Sequence, residues 1–125
     1  LIVSVDLQNL TDMQLDSRRK VFEYLLERLN VRSEVCEGMW EGVREQSYMI
    51  TLDGSKHYRK IVEEAHGRFG QDAVLKISAY GGATLVFPGR EDKFIGEFVQ
   101  VDAVPVDQCY IQRFSDGAIF VVNLV

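Results

Sequence analysis

The fold turns on Gly38-Met39-Trp40-Glu41-Gly42-Val43-Arg44-Glu45-Gln46-Ser47-Tyr48-Met49-Ile50-Thr51-Leu52. Glycines bracket the first part, which carries the chain's single tryptophan, and residues 38–47 read as a loop. The second part, from Tyr48 to Leu52, is apolar and partly β-branched, and it reads as a strand. Glu45 stands at the junction. Strand ends hold side chains rigidly and loops bring ligand to them, so a carboxylate there beside an aromatic face suggests a small-molecule site. The same residue also fits a solvated surface glutamate, the commoner fate of an acidic side chain.

Working outward, Leu1-Ile2-Val3-Ser4-Val5 reads as a first strand. Residues 9–16 are polar and read as a loop, with Ser17 placed to cap a helix. Val21, Phe22, Leu25, Leu26 and Leu29 then recur at helical spacing, and Asn30 can end that helix. Residues 33–37 read as a short strand centred on Val35 and Cys36. Beyond Leu52, Asp53-Gly54 is a turn and Ser55 an N-cap. A second helix carries Tyr58, Ile61, Val62, Ala65 and Phe69 on one face, and Gly67 and Gly70 mark its end.

Residues 73–80 alternate as a half-buried strand, Gly81-Gly82 is a turn signal, and 83–87 return. Residues 94–101 alternate weakly, with Phe94, Gly96, Phe98 and Gln100 on one side. Residues 110–114 and 118–125 read as a hairpin around Ser115-Asp116-Gly117. The order predicts one α+β domain over 1–125. It is a ferredoxin-like β-α-β-β-α-β antiparallel sheet with both helices on one face and a C-terminal β-hairpin extension. The apolar tail or another subunit would cover the other face.

Charge and composition exclude several functions. The net charge is −5, from 19 acidic against 14 basic residues, which disfavours a broad nucleic-acid surface. Arg18-Arg19-Lys20 is a compact basic cluster, read as a solvated helix face. No apolar run approaches the roughly 18 residues of a membrane span. No secretory signal is visible, which predicts a cytoplasmic protein. Cys36 and Cys109 form no CxxC pattern, so they read as reduced thiols packed as small hydrophobes. His57 and His66, nine apart on a helix, turn away from each other and read as surface or cap residues. No metal site is expected, and no Walker loop or GxGxxG suggests a nucleotide cofactor. Trp40 fits a stacking platform as well as a loop anchor. Tyr80 fits a ligand contact as well as a strand-end aromatic. Gly81 fits a close approach to a ligand as well as a hairpin turn.

Taken together, the residues resemble the phage-encoded S-adenosylmethionine lyases, formerly called S-adenosylmethionine hydrolases. The resemblance runs from Val3-Ser4-Val5 and Asn9-Leu10 through Gly38-Met39-Trp40 and Glu45-Gln46-Ser47. It continues in Phe69-Gly70-Gln71-Asp72-Ala73-Val74-Leu75, Phe98-Val99-Gln100-Val101 and residues 114–120. Order and spacing carry it, with no single diagnostic motif. It implies a trimer similar to the PII proteins, with sites between subunits and Glu45 as the essential carboxylate. Trp40 stands where the family has a tyrosine, in a shorter loop, and Tyr80 stands where the family places a polar side chain.

With Trp40, Ser47, Tyr80 and Gly81 as substrate-binding residues, the implied reaction needs no metal and no cofactor. The substrate's own carboxylate displaces methylthioadenosine and leaves homoserine lactone. A phage would use this against host restriction, in the host cytoplasm. A PII-like binding module without turnover, and a phage inhibitor of a host protein, are the competing readings.

Overall fold

A computed structural model describes residues 1–54, 56–106 and 108–125. The decisive stretch is not loop and strand. It is most of a long hairpin: β2 (Arg32–Trp40) and β3 (Val43–Thr51), nine residues each, pair along their whole length. The connection is Glu41-Gly42, with φ of 48° and 82°. Two successive left-handed residues form the two-residue turn whose twist matches that of the flanking strands. Residues 38–47 hid their strand character because Arg44, Glu45, Gln46 and Ser47 are all polar, so alternation in hydrophobicity cannot be seen there.

The first helix also differs from expectation. α1 (Asp12–Leu29) starts five residues before Ser17, with Thr11 at its N-cap. The Thr11 hydroxyl accepts from the Gln14 backbone N–H, and the Gln14 side chain accepts from the Thr11 N–H. This reciprocal box satisfies two N–H groups that a helix start leaves unpaired. Asn30 ends the helix in the left-handed conformation, as expected. Ser55 lies outside the described residues. The N-cap position of α2 (Tyr58–His66) is held by His57.

The remaining strands are β1 (Ile2–Ser4), β4 (Val74–Ile77), β5 (Gly82–Val86), β6 (Lys93–Val101), β7 (Tyr110–Arg113) and β8 (Ile119–Leu124). They close into an antiparallel barrel in the order β1-β3-β2-β7-β8-β6-β5-β4, sealed by pairing of β1 with β4 at Ile2 and Leu75. This overturns the expected ferredoxin-like open sheet with its hairpin extension, and with it the PII-like architecture. The hairpin of β7 and β8 forms, but as two staves, with β7 against β2 and β8 against β6.

The physical reason is that a sheet has two faces to cover. α1 and α2 cover the outside of β1, β3 and β4. Phe22, Leu26, Ile61, Ala65 and Phe69 pack there on Val3, Val5, Tyr48, Ile50 and Val74. The other face is covered by curling the sheet on itself, so that Ile2, Cys36, Leu75, Ala83 and Ile111 meet inside. Closure also removes the exposed strand edges of an open sheet. A third cluster, around Tyr110, Ile119 and Val121, packs on the outside of β7 and β8.

The curl depends on β6. The β5–β6 register shifts between Ala83 and Thr84, where Gly96 sits at φ 151°. A Cβ on Gly96 would run into the Asn123 carbonyl of the neighbouring strand. This bulge turns Ile95 inward and leaves Phe94 exposed, so the expected one-sided set Phe94, Gly96, Phe98, Gln100 does not hold.

Candidate active site at the mouth of the barrel

Strand alternation decides which side chains of the hairpin face inward. Cys36 belongs to the interior cluster, so Gly38 and Trp40 face inward with it. Their partners in the register are Ser47, Glu45 and Val43. Ser4 of β1 lies directly opposite Ser47. Glu45 therefore faces a strand position, Gly38, that has no side chain. The space is taken by Trp40: a Cβ on Gly38 would come 2.5 Å from the indole Nε1 and 3.3 Å from the Ser47 Oγ. Glycine at 38 is what lets the indole fold back beside Glu45 and Ser47.

These groups open into a cavity of about 530 Å³ at one end of the barrel. Ser4, Asp6, Trp40, Glu45, Ser47 and Gln71 supply its polar and aromatic wall, and Ile2, Leu75 and Leu85 its floor. Three of the residues predicted from sequence, Trp40, Glu45 and Ser47, are thus brought together. Tyr80 and Gly81 are not. β1 and β4 run antiparallel from the Ile2–Leu75 pair, so the chain after Ile77 leads toward the opposite end of the barrel. There Gly81 forms the turn before β5 and Tyr80 is 97% exposed.

Sequence reasoning missed Asp6. Its carboxylate is buried, 7% exposed, and is gripped by Arg19 through Nε at 3.0 Å and Nη2 at 2.7 Å. It also accepts the Gln46 backbone N–H at 3.0 Å, which ties it to the residue next to Glu45. Arg18 donates to the Val5 and Phe69 carbonyls, and Gln71 donates to the Asp6 carbonyl. The basic cluster is therefore only partly a solvated face. Lys20 pairs with Asp16 on the surface, whereas Arg18 and Arg19 turn inward and pin the loop after β1. A pair of arginines in the helix that follows a strand with an aspartate two residues past its end was the available signal.

A second layer lies behind this one. The Tyr48 hydroxyl donates to Glu23 at 2.6 Å and accepts from the Gln46 side chain at 3.2 Å. Burial, and then the neighbouring Glu23, pushes the Tyr48 hydroxyl far above its ordinary pKa, so it stays a proton donor. Glu45 is itself shifted upward, mainly by burial and further by the charge of Asp6. The Ser4 hydroxyl beside it pulls the other way.

The mouth is rich in carboxylates, of which Asp6 is compensated from behind by Arg19. Asp6, Glu41, Glu45 and Asp72 line it, and no lysine or arginine does among the described residues. A cation is favoured there, against both the carboxylates and the indole face. Among the described residues, no three His, Cys, Asp or Glu side chains gather to hold a metal ion. Cys36 is fully buried inside the barrel and burial pushes its thiol up to about 12, which makes it a packing group. Cys109 is likewise free. His66 Nε2 lies 3.0 Å from the Val86 carbonyl, away from the cavity. A separate cleft lined by residues 29–32, 51–53, 56 and 57 contains none of the predicted site residues. Among the described residues, no helix is long and apolar enough to cross a membrane.

The described residues thus form an eight-stranded antiparallel barrel with an acidic, aromatic-walled mouth. The S-adenosylmethionine lyase family model matches residues 1–123, and the chain belongs to that family. No curated protein matches it.

Proposed function

We propose that the protein cleaves S-adenosylmethionine to methylthioadenosine and homoserine lactone in the Glu45 cavity. The observation that carries this reading is the acidic mouth around Trp40, without a cation in its described lining, in a chain of the lyase family. The substrate's carboxylate attacks its own γ-carbon. The C–S bond breaks, its electron pair goes to sulfur, and the sulfonium leaves as a neutral thioether. No proton moves and no enzyme nucleophile is required.

Two physical effects support the step. The attacking carboxylate and the sulfonium neutralise each other in the transition state, so a site that removes their water speeds the reaction. An arginine or lysine on the carboxylate would hold it back, and the wall offers neither. Glu45 attracts the sulfonium and ammonium end, Asp6 with its Arg19 partner fixes the strand segment beside it, and Trp40 and Ser47 hold the folded conformer that aligns nucleophile and electrophile. Glu45 is a positioning and electrostatic group; nothing in the reaction asks for a general base.

The protein is tested by incubating it with S-adenosylmethionine and reading products by mass spectrometry. Methylthioadenosine with homoserine lactone is expected. Homoserine formed faster than the lactone opens by itself would indicate hydrolysis instead, and unchanged substrate with folded protein would defeat the proposal. Further parts of the reading are a homotrimer, for which the exposed apolar residues Val106, Leu124 and Val125 provide surface, and a phage anti-restriction role in the host cytoplasm. Sedimentation at low concentration checks the first, and restoration of unmodified phage growth on a restricting host checks the second.

A further inference from the structure

Behind the mouth, a polar chain runs through an otherwise apolar layer. Tyr48 lies in the core between α1 and the barrel, 1% exposed, with its ring centroid 5.2 Å from that of Phe22. Val3, Val5, Leu26 and Ile50 belong to the same core. A phenylalanine would occupy this layer with no hydroxyl to desolvate, and a hydroxyl without partners would be costly there. The Tyr48 hydroxyl has two partners. It donates to Glu23 Oε2 at 2.6 Å and accepts from Gln46 Nε2 at 3.2 Å. Burial and Glu23 keep it protonated, so it gives its proton to Glu23 and a lone pair to Gln46.

Gln46 is where this chain reaches the site. Its backbone N–H donates to Asp6 Oδ2 at 3.0 Å, and its C=O accepts from the Ser4 hydroxyl at 3.0 Å. With its side chain on Tyr48, Gln46 is held at three polar groups, and the held N–H belongs to the peptide that joins it to Glu45. Successive side chains of a strand leave on opposite faces, so Gln46 points out to Tyr48 while Glu45 points in to the mouth. The strand cannot rotate at Glu45 without breaking the bonds outside. We infer that Glu23 and Tyr48 are positioning residues for Glu45, acting from outside the barrel through Gln46. The inference rests on the function proposed above and assigns two further residues to it. A carboxylate that acts without moving a proton works by where it stands, so loosening its backbone lowers turnover.

The test compares Tyr48→Phe, Glu23→Ala and Glu23→Gln, each alone and with Glu45→Gln. In Tyr48→Phe and Glu23→Ala, kcat on S-adenosylmethionine is expected to fall about tenfold while KM stays within about threefold, the pattern of lost alignment. Glu23→Gln keeps an oxygen that accepts from Tyr48, so kcat should return to within about twofold of the parent. In the Glu45→Gln background, Tyr48→Phe should cost less than about twofold, because the group it positions is already gone. An equal tenfold loss in both backgrounds overturns the inference, as does unchanged kcat in the single variants. Glu23 is exposed on α1, so Glu23→Ala leaves the core whole and carries the test should Tyr48→Phe not fold.

A readout without substrate separates this inference from the lyase reading. Amide hydrogen exchange followed by NMR should quicken at least tenfold at the Gln46 N–H in Glu23→Ala, while Ile61 of α2 keeps its protection. Equal quickening at both amides would mean a general loss of stability and would overturn the positioning role. Local loosening at Gln46 in a protein that leaves S-adenosylmethionine intact would sink the lyase proposal alone. Turnover in the parent with no local loosening in Glu23→Ala would sink only the positioning role.

Discussion

The barrel has two unlike halves. Staves β1, β3 and β2, with the segments just after β1 and just before β4, carry the polar side chains of the mouth, and β1, β3 and β4 are backed by helices. Behind their inner residues stand Arg19, Gln46, Tyr48 and Glu23 in successive hydrogen bonds, and Val3, Val5 and Tyr48 are almost wholly buried. Among the described residues, staves β6, β8 and β7 have no helix packed behind them, and β5 meets α2 only at its end, through His66 and the Val86 carbonyl. Their inner faces are mostly apolar and incompletely filled. Leu124, at the end of β8, is 76% exposed. A charged group must be held in place from behind to act on a substrate, because each partner removed leaves a buried charge unpaired. An apolar lining needs no such support. The backed half therefore suits positioning.

The sharpest way to break that comparison is Glu45→Gln. Turnover is expected to fall by about 10²-fold, the scale of misplacing the reacting groups when a positioning side chain is lost, with the fold intact by circular dichroism. The variant also tests the upward shift of Glu45. A carboxyl that binds its proton more tightly in the folded state lowers stability as pH rises from the ordinary glutamate value through the raised one. Above that window Glu45→Gln should thus be at least as stable as the parent, and the advantage should vanish in acid. Activity should fall as pH drops through the raised value. A variant less stable than its parent at neutral pH would contradict this.

Next in size is Arg19→Ala, which strands the buried Asp6 carboxylate. A loss of about 3 kcal/mol in urea unfolding is expected, the usual scale for removing one partner of a buried pair. A loss below 1 kcal/mol would show that water reaches Asp6 and that the backed half is not tightly built.

In the bare half the corresponding weak point is Gly96→Ala. Its Cβ would meet backbone in a region of φ that side chains avoid, so roughly 2–3 kcal/mol of destabilisation is expected. Lost β6–β8 protection in hydrogen exchange should accompany it, while α1 keeps its protection. Equal loss in both halves would show that the barrel opens as one unit and that the two halves differ in chemistry only. The smallest effect belongs to Thr11→Ala, about 1 kcal/mol in thermal or urea unfolding, since it removes one cap from a helix held elsewhere by packing.

Much of the element order was legible because it rests on local signals. The apolar run Leu1 to Val5, the helical spacing of Phe22 and Leu26, the left-handed Asn30 and the turn at 115–117 each act within a few residues. The capping box at Thr11 and Gln14 was equally local, and lay unread inside a polar segment. Residues 38–47 were different. Their strand is held by pairing with neighbours on both sides, and their inward face is polar because it is the candidate site. A hydrophobic period cannot mark such a strand.

Sequence alone singled out Glu45, Trp40 and Ser47 as candidates, from a carboxylate and an aromatic just before an apolar run and from the family resemblance. That they stand side by side on a paired hairpin came from the structure. It also carried the family. Tertiary structure decided that the sheet closes, that Asp6 and Arg19 stand behind the site, and that Tyr80 and Gly81 lie at the other end. Each of these joins residues distant in the chain, through strand register and a bulge at Gly96. No window of sequence contains both partners of such a contact.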